Sequence, residues 1–271
     1  MGRDPTPSAH LDFLLECIGF PPTVGVEELL EVIDDRGEAA AWRGPAADHR
    51  LLQLGGGLEV RADRDPGQTF WTVTPHLRVP TRRRLAITAI VRTRESPFDA
   101  LLAGWCALPT PDEWREGDPP GLYRLATWIT DARRLEGRVR PGKVLAVSVA
   151  GFAVHVDQIA PNAEASQPAV LERPSGAMIR PLGGPEDPGG CCDVSLRIRT
   201  IQRTVNQVTG EPVEIAVCDA PDRPIALMLS PWQLERDGLP PPRPGWRIEG
   251  TFLFTGRIAG GLQKRRGASF G

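Results

Sequence analysis

His155 and Asp157 stand two residues apart in a run of alternating apolar residues, so a β-strand there places both side chains on one face. The carboxylate could orient the imidazole, or the two could ligate a metal, and the chemistry would then be metal-dependent hydrolysis. No third ligand is assignable from spacing; His76 follows Pro75 in a different β region. Cys191-Cys192 would need a base and an electropositive pocket to act as nucleophiles. They precede Asp193, whose charge raises a neighbouring thiol's pKa. Gly55-Gly56-Gly57 has neither the Lys and Ser/Thr of a P-loop nor a full G-x-G-x-x-G, and the strand-like Leu58-Glu59-Val60 follows it. It reads as a hairpin turn. No G-x-S-x-G, H-E-x-x-H or kinase set occurs, and no pair of carboxylates stands out on one element for acid–base work. The expected catalytic set is empty, no cofactor is expected, and the candidate metal ligands reduce to His155 and Asp157.

Arginine offers the other chemistry. Arg197, Arg199 and Arg203 fall on one expected strand, and Trp246, Arg247 and Arg257 on or beside another. A basic groove with stacking aromatics is how small β-barrels hold single-stranded nucleic acid. From Val194 onward the chain has 11 basic against 7 acidic residues, inside a whole of net charge −2. Stacking residues are scarce, because Phe252 and Phe254 belong to the inward set, which leaves Trp232 and Trp246. Glu214 and Glu249 can neutralise these arginines on a solvated face, which is the plainer reading.

The elements that would carry these residues are short, as 29 glycines and 28 prolines require. Ser8 caps a first helix with Leu11, Leu14, Leu15 and Ile18 at helical spacing; Val26, Leu29, Leu30 and Ile33 mark a second, ending near Gly37. Strands follow at 40–43, 49–54, 58–62 and 69–74, separated by turns at Gly44-Pro45, Gly55-Gly56-Gly57 and Asp65-Pro66-Gly67. Helices on one face of an antiparallel sheet is the economical arrangement.

From Leu85 the order of elements repeats. Ile90-Val91-Arg92-Thr93 answers to Ile201-Gln202-Arg203-Thr204, Trp105-Cys106 to Val217-Cys218, Ala126 to Thr130 to Ala226 to Ser230, and Pro141-Gly142 to Pro244-Gly245. An internal duplication would explain the series. In the second copy Val194, Leu196 and Ile198 alternate with polar residues, then the parity flips at Ile201, as a β-bulge dictates. Strand, hairpin, third strand, helical turn at 231–236 and a glycine-kinked strand from Arg247 make an OB-like order. No turn signal divides Arg247 to Ile258 into the last two strands of such a barrel, so the other copy is one way to close it. The expected fold is α+β and mostly β: a two-helix plus antiparallel-sheet module at 1–80, OB-like modules at 81–160 and 191–260, a Pro/Gly-rich linker or long loop at 161–190, and a mobile basic tail at 261–271.

Cys17-Ile18-Gly19-Phe20, Asn206 with Thr209-Gly210-Glu211, and Pro244-Gly245-Trp246-Arg247 with Gly250 and Gly256 together resemble an uncharacterised bacterial family of similar length. The resemblance covers about a third of the chain in short pieces. It implies a cytoplasmic bacterial protein and carries over no active site. No apolar run approaches a membrane span, and no signal peptide is legible. The odd count of 5 cysteines, without CxxC, fits buried thiols in a reducing compartment. These observations favour a non-catalytic cytoplasmic binding or scaffold protein whose partner is another protein. Single-stranded nucleic-acid binding through Arg197, Arg199, Arg203, Trp246, Arg247 and Arg257 is the alternative, and the hydrolase with His155 and Asp157 a second.

Overall fold

The computed structural model describes residues 14–39, 48–64, 71–92, 99–109, 121–130, 135, 139–159, 176–184 and 188–262. Residues 14–16 are helical, and the chain then turns through Cys17-Ile18-Gly19. Helix α1 (Val26–Arg36) carries Glu27 and Glu28 in its first turn and Arg36 in its last, each opposite in sign to its helix end. Leu29 and Ile33, one turn apart, are its buried residues, as the spacing predicts.

Strands β1 (Glu38–Ala39), β2 (Asp48–Gly55), β3 (Leu58–Arg64) and β4 (Thr72–Leu77) form a four-stranded antiparallel sheet in chain order. Leu58, Val60 and Ala62 of β3 are fully buried on the face that meets α1, where Arg50 reaches Asp34 at 3.3 Å. The opposite face carries His49, Glu59, Arg61, Asp63 and His76. It is buried as well.

A second sheet has nine strands: β5 (Arg83–Arg92), β6 (Ala100–Cys106), β7 (Tyr123–Ile129), β8 (Val144–Ile159), β9 (Met178–Pro181), β10 (Cys191–Val205), β11 (Pro212–Asp219), β12 (Ile225–Met228) and β13 (Arg247–Gly260). Helix α2 (Pro231–Arg236) lies between β12 and β13. The long strands β8 and β13 pair antiparallel from Arg247↔Ile159 to Gly260↔Ala146. From β8 the sheet runs through β5, β6 and β7, and β7 meets β13 in parallel, closing a ring. From β13 it runs through β10, β11 and β12, and β12 meets β8 in parallel, closing another. Each long strand serves both rings, so no turn is needed within 247–258. At Gly250 this pairing leaves no room for a side chain: a Cβ there would lie 2.2 Å from the His155 carbonyl oxygen, and the φ of +146° is one that L side chains rarely adopt.

Leu85, Leu145, Val147, Leu196, Ile248, Phe252 and Phe254 are among the side chains buried along these strands. Buried polar clamps join the parts. Arg83, 2 % exposed, donates to the Tyr123 hydroxyl, the Asp222 carboxylate and the carbonyls of Arg223 and Pro224, holding β5 to the turn between β11 and β12. Ser230 caps α2 by accepting from Gln233 N and donates to Glu16 Oε2 at 2.6 Å, while Arg236 donates to both Glu16 oxygens.

The molecule is α+β and mostly β, as the sequence predicts, with a two-sheet core. The parity flip is a register shift between Ile198 and Thr200. In the stretch expected as a linker or loop, 178–181 forms β9, where Met178-Ile179 supplies an apolar pair and β10 offers an edge. Ser8, Leu11, the strand at 40–43, the turns at Gly44-Pro45 and Asp65-Pro66-Gly67, and the tail with Lys264-Arg265-Arg266 lie outside the described residues. No described helix is long and apolar enough to cross a membrane.

Candidate functional site

Two groups of polar residues deserve comparison as sites, one sealed and one open. The sealed group fills the interface between the sheets. Alternation along β3 aims Glu59, Arg61 and Asp63 at the ring, and each is at most 2 % exposed. Glu59 accepts from Arg78, the residue after β4, and makes an ion pair with Arg257 of β13 at 2.6 Å. That second contact is an ion pair by distance, without an aligned hydrogen bond. Arg61 donates to the Thr130 hydroxyl, and His49 pairs with Asp63.

His76, fully buried on β4, contacts Thr255 Oγ1 through Nδ1 at 3.3 Å. Thr255 gives its own proton to the Pro75 carbonyl, so Nδ1 is the donor and Nε2 the bare nitrogen. Burial, then the charges of Arg61, Arg257 and Arg78, hold the His76 pKa well below the usual 6.5. The native imidazole is neutral. Unfolding exposes a group that binds a proton below pH 6.5, so stability is complete above that pH and falls as pH drops. We expect the loss to approach about 1.4 kcal/mol per pH unit from this residue alone. Urea midpoints at pH 7 and pH 5 check it: His76→Asn should lose much of the wild type's pH dependence. Equal dependence in both proteins would exclude His76 as the source.

Glu59, Arg61, Asp63 and His76 are each at most 2 % exposed, so this group lies within the interface and not at the surface. Its residues were half visible in the sequence, since the alternation over 58–64 marks a polar face. What one strand's pattern lacks is the identity of the surface that covers that face.

The open group lies on the outer surface of β8, β13, β10 and β9, and the register arranges it in rungs. Arg180, Asp193, Thr251 and His155 form one; Met178, Ser195, Glu249 and Asp157 form the next; Arg197 and Arg247 stand in a third. Thr251 donates to Asp193 at 3.0 Å, Ser195 donates to Glu249 at 2.9 Å, and Arg180 reaches Asp193 at 3.4 Å. Arg247, 7 % exposed, donates to Ser195 Oγ and to the Gly176 carbonyl. His155 and Asp157 are exposed, share a face as expected, and gain Glu249 as a neighbour that spacing could not supply. Even so, among the described residues no group of three or more His, Cys, Asp or Glu is placed to hold a metal ion.

The arginines named from the sequence divide. Arg197 and Arg247 share the third rung, with Trp246 next in the chain and half-buried beneath Arg243, whose guanidinium lies 5.5 Å from its ring centre. Arg199 is exposed at the bulge, and Arg203 is tied to Glu214 at 2.9 Å. Arg257 lies at the other end of β13, in the sealed layer with Glu59. The thiols are chemically quiet: burial pushes Cys17, Cys106 and Cys192 up to about 12 and raises Cys218 further, while burial and Asp193 raise the half-buried Cys191. All five are free.

No protein-family model, no curated protein and no solved structure matches this chain.

Proposed function

We propose that this is a non-catalytic, cytoplasmic binding or scaffold protein built on two OB-like barrels from a duplicated unit, and that its partner is another protein. Ring order supports the barrel reading: three antiparallel strands, a parallel return and two antiparallel closures in each, with α2 between the third and fourth strands of the second. Register supports duplication. Leu85 faces Leu145 as Leu196 faces Ile248, Trp128 meets Thr255 as Met228 meets Phe152, and the bulges between Ile87 and Ala89 and between Ile198 and Thr200 correspond. One pairing from sequence shifts: Cys218 faces Ile198 as Gly104 faces Ile87, so Cys218 corresponds to Gly104 and not to Cys106. The free thiols fit a reducing compartment.

The observation that carries the function is the division between the two polar groups. The buried ionisable residues are sealed between sheets, whereas the mixed-charge outer rungs stand on paired strands with several side chains already fixed by hydrogen bonds. A rigid surface of both signs suits a protein partner, because complementary charges set orientation and exclude wrong ones. Nucleic acid is less well served, since Arg203 and Arg257 are neutralised and Arg247 is buried. Photo-crosslinking tests the choice. A benzophenone side chain at position 155 or 157 should yield a discrete protein adduct in cells, weakened by Glu249→Lys and absent from position 84 on another part of the ring. Adducts to nucleic acid alone, or tight oligonucleotide binding that weakens steeply with salt, would replace this reading with the alternative.

A further inference from the structure

A groove lined by β10, β11, α2 and the loop that follows α2 has the features of a peptide site. Its lining is largely apolar: Leu229 and Leu234 are nearly buried, Leu239 is half-buried, and Pro242 is buried. The cavity measures about 430 Å³, within the roughly 300–1,000 Å³ range of ligand sites. Proline forms much of the remaining wall, at Pro212, Pro231 and Pro241. Each fixes its own φ, so the groove stands open before a ligand arrives and little ordering is required on binding. Val205, 49 % exposed, faces Pro212 across β10 and β11 and extends the apolar surface past the rim.

Charge decides the occupant. Arg203 at the rim is neutralised by Glu214, whereas the exposed Glu235 carboxylate has no ion-pair partner among the described residues. The rim therefore carries a net negative charge beside a largely apolar, proline-rich lining. A phosphate backbone is repelled by that arrangement, and a free hydrocarbon ligand would make no use of it. We infer that this groove binds a segment of a partner protein that inserts an aromatic side chain against the proline and leucine surfaces and sets an adjacent lysine or arginine beside Glu235. Aromatic rings pack well on such flat apolar walls, and large aromatic anchors in preformed pockets dominate the affinity of peptide interfaces.

The inference rests on the protein-binding reading but names a surface other than the outer rungs. Its test is selection of a displayed library of random twelve-residue peptides on the full chain. Enriched peptides should share a Trp, Phe or Tyr within two residues of a Lys or Arg. Their affinity should fall at least tenfold for Glu235→Lys and for Leu239→Arg, two substitutions at incompletely buried positions whose folding circular dichroism verifies. Glu235→Gln should fall between Glu235→Lys and the wild type. No enrichment above the display background, enrichment of acidic peptides, or binders indifferent to both variants would overturn the groove. A protein adduct from position 155 alongside such a failure would leave the scaffold reading standing, so the two failures are separable.

Discussion

Glu59→Leu should lower the free energy of unfolding by about 3–5 kcal/mol, the usual cost of breaking a buried ion pair from one side. The carboxylate is fully buried and faces two guanidinium groups, from Arg78 and Arg257. These contribute unequally. Arg78 is 55 % exposed and can turn to water when its partner goes, so its share is small. Arg257 is 24 % exposed and near enough to His76 that its charge depresses the imidazole pKa, as does that of Arg61. Without Glu59 the sealed layer holds guanidinium groups with one fewer carboxylate to offset them. The double variant Glu59→Leu with Arg257→Met should recover most of the loss, because both charges are then replaced by packing groups. Urea unfolding at pH 7.5, where His76 titration does not enter, measures the three proteins on one scale. A single-variant loss below about 1 kcal/mol would mean that the layer is wet and the pair is worth no more than a surface bridge.

That layer also shows where sequence reasoning stops. Helix α1, the bulge after Ile198, the turn at Asn206 and the helical turn after Ser230 are each coded within a dozen residues, by spacing or by a parity flip. They were legible. The strands of the second half were legible for the same reason, and so was the missing turn in 247–258, which pointed to closure by another segment. Nothing local states that β8 supplies it, since that pairing joins residues about a hundred positions apart. The same distance hides the sites. His155 and Asp157 can be placed on one face from their spacing, but Glu249 and Thr251 become their neighbours only through the register of β8 with β13. Arg197 and Arg257 look alike in sequence, yet one is exposed and the other is built into an interface with a sheet from the opposite end of the chain.

Asn206→Ala should cost about 2–4 kcal/mol, because one buried amide satisfies three backbone groups. Its Nδ2 donates to the Ile18 carbonyl at 2.9 Å, and its Oδ1 accepts from the N–H groups of Val208 and Thr209. Thr209 then donates to the Gly19 carbonyl at 2.7 Å. Two short motifs nearly two hundred residues apart are thereby one structure, with the hairpin of β10 and β11 gripping the turn that follows the first helical residues. Gly19 fits the grip for a second reason: its φ is +85°, and a Cβ would come within 2.9 Å of Val213 Cγ2. Asn206→Asp separates the roles. It retains the acceptor for the hairpin but sets a carboxylate oxygen against the Ile18 carbonyl, so it should be at least as damaging as alanine if the long-range bond matters. A near-wild-type Asn206→Asp would assign the residue to the local turn alone. Thr209→Val should be less than additive with Asn206→Ala, since both release the same segment. Limited chymotrypsin digestion provides the structural readout: cleavage after Leu14, buried in the wild type, should become fast in both variants while the rings stay intact. The segment thereby covers the β11 side that carries Val213, which withdraws that side of the second ring from solvent.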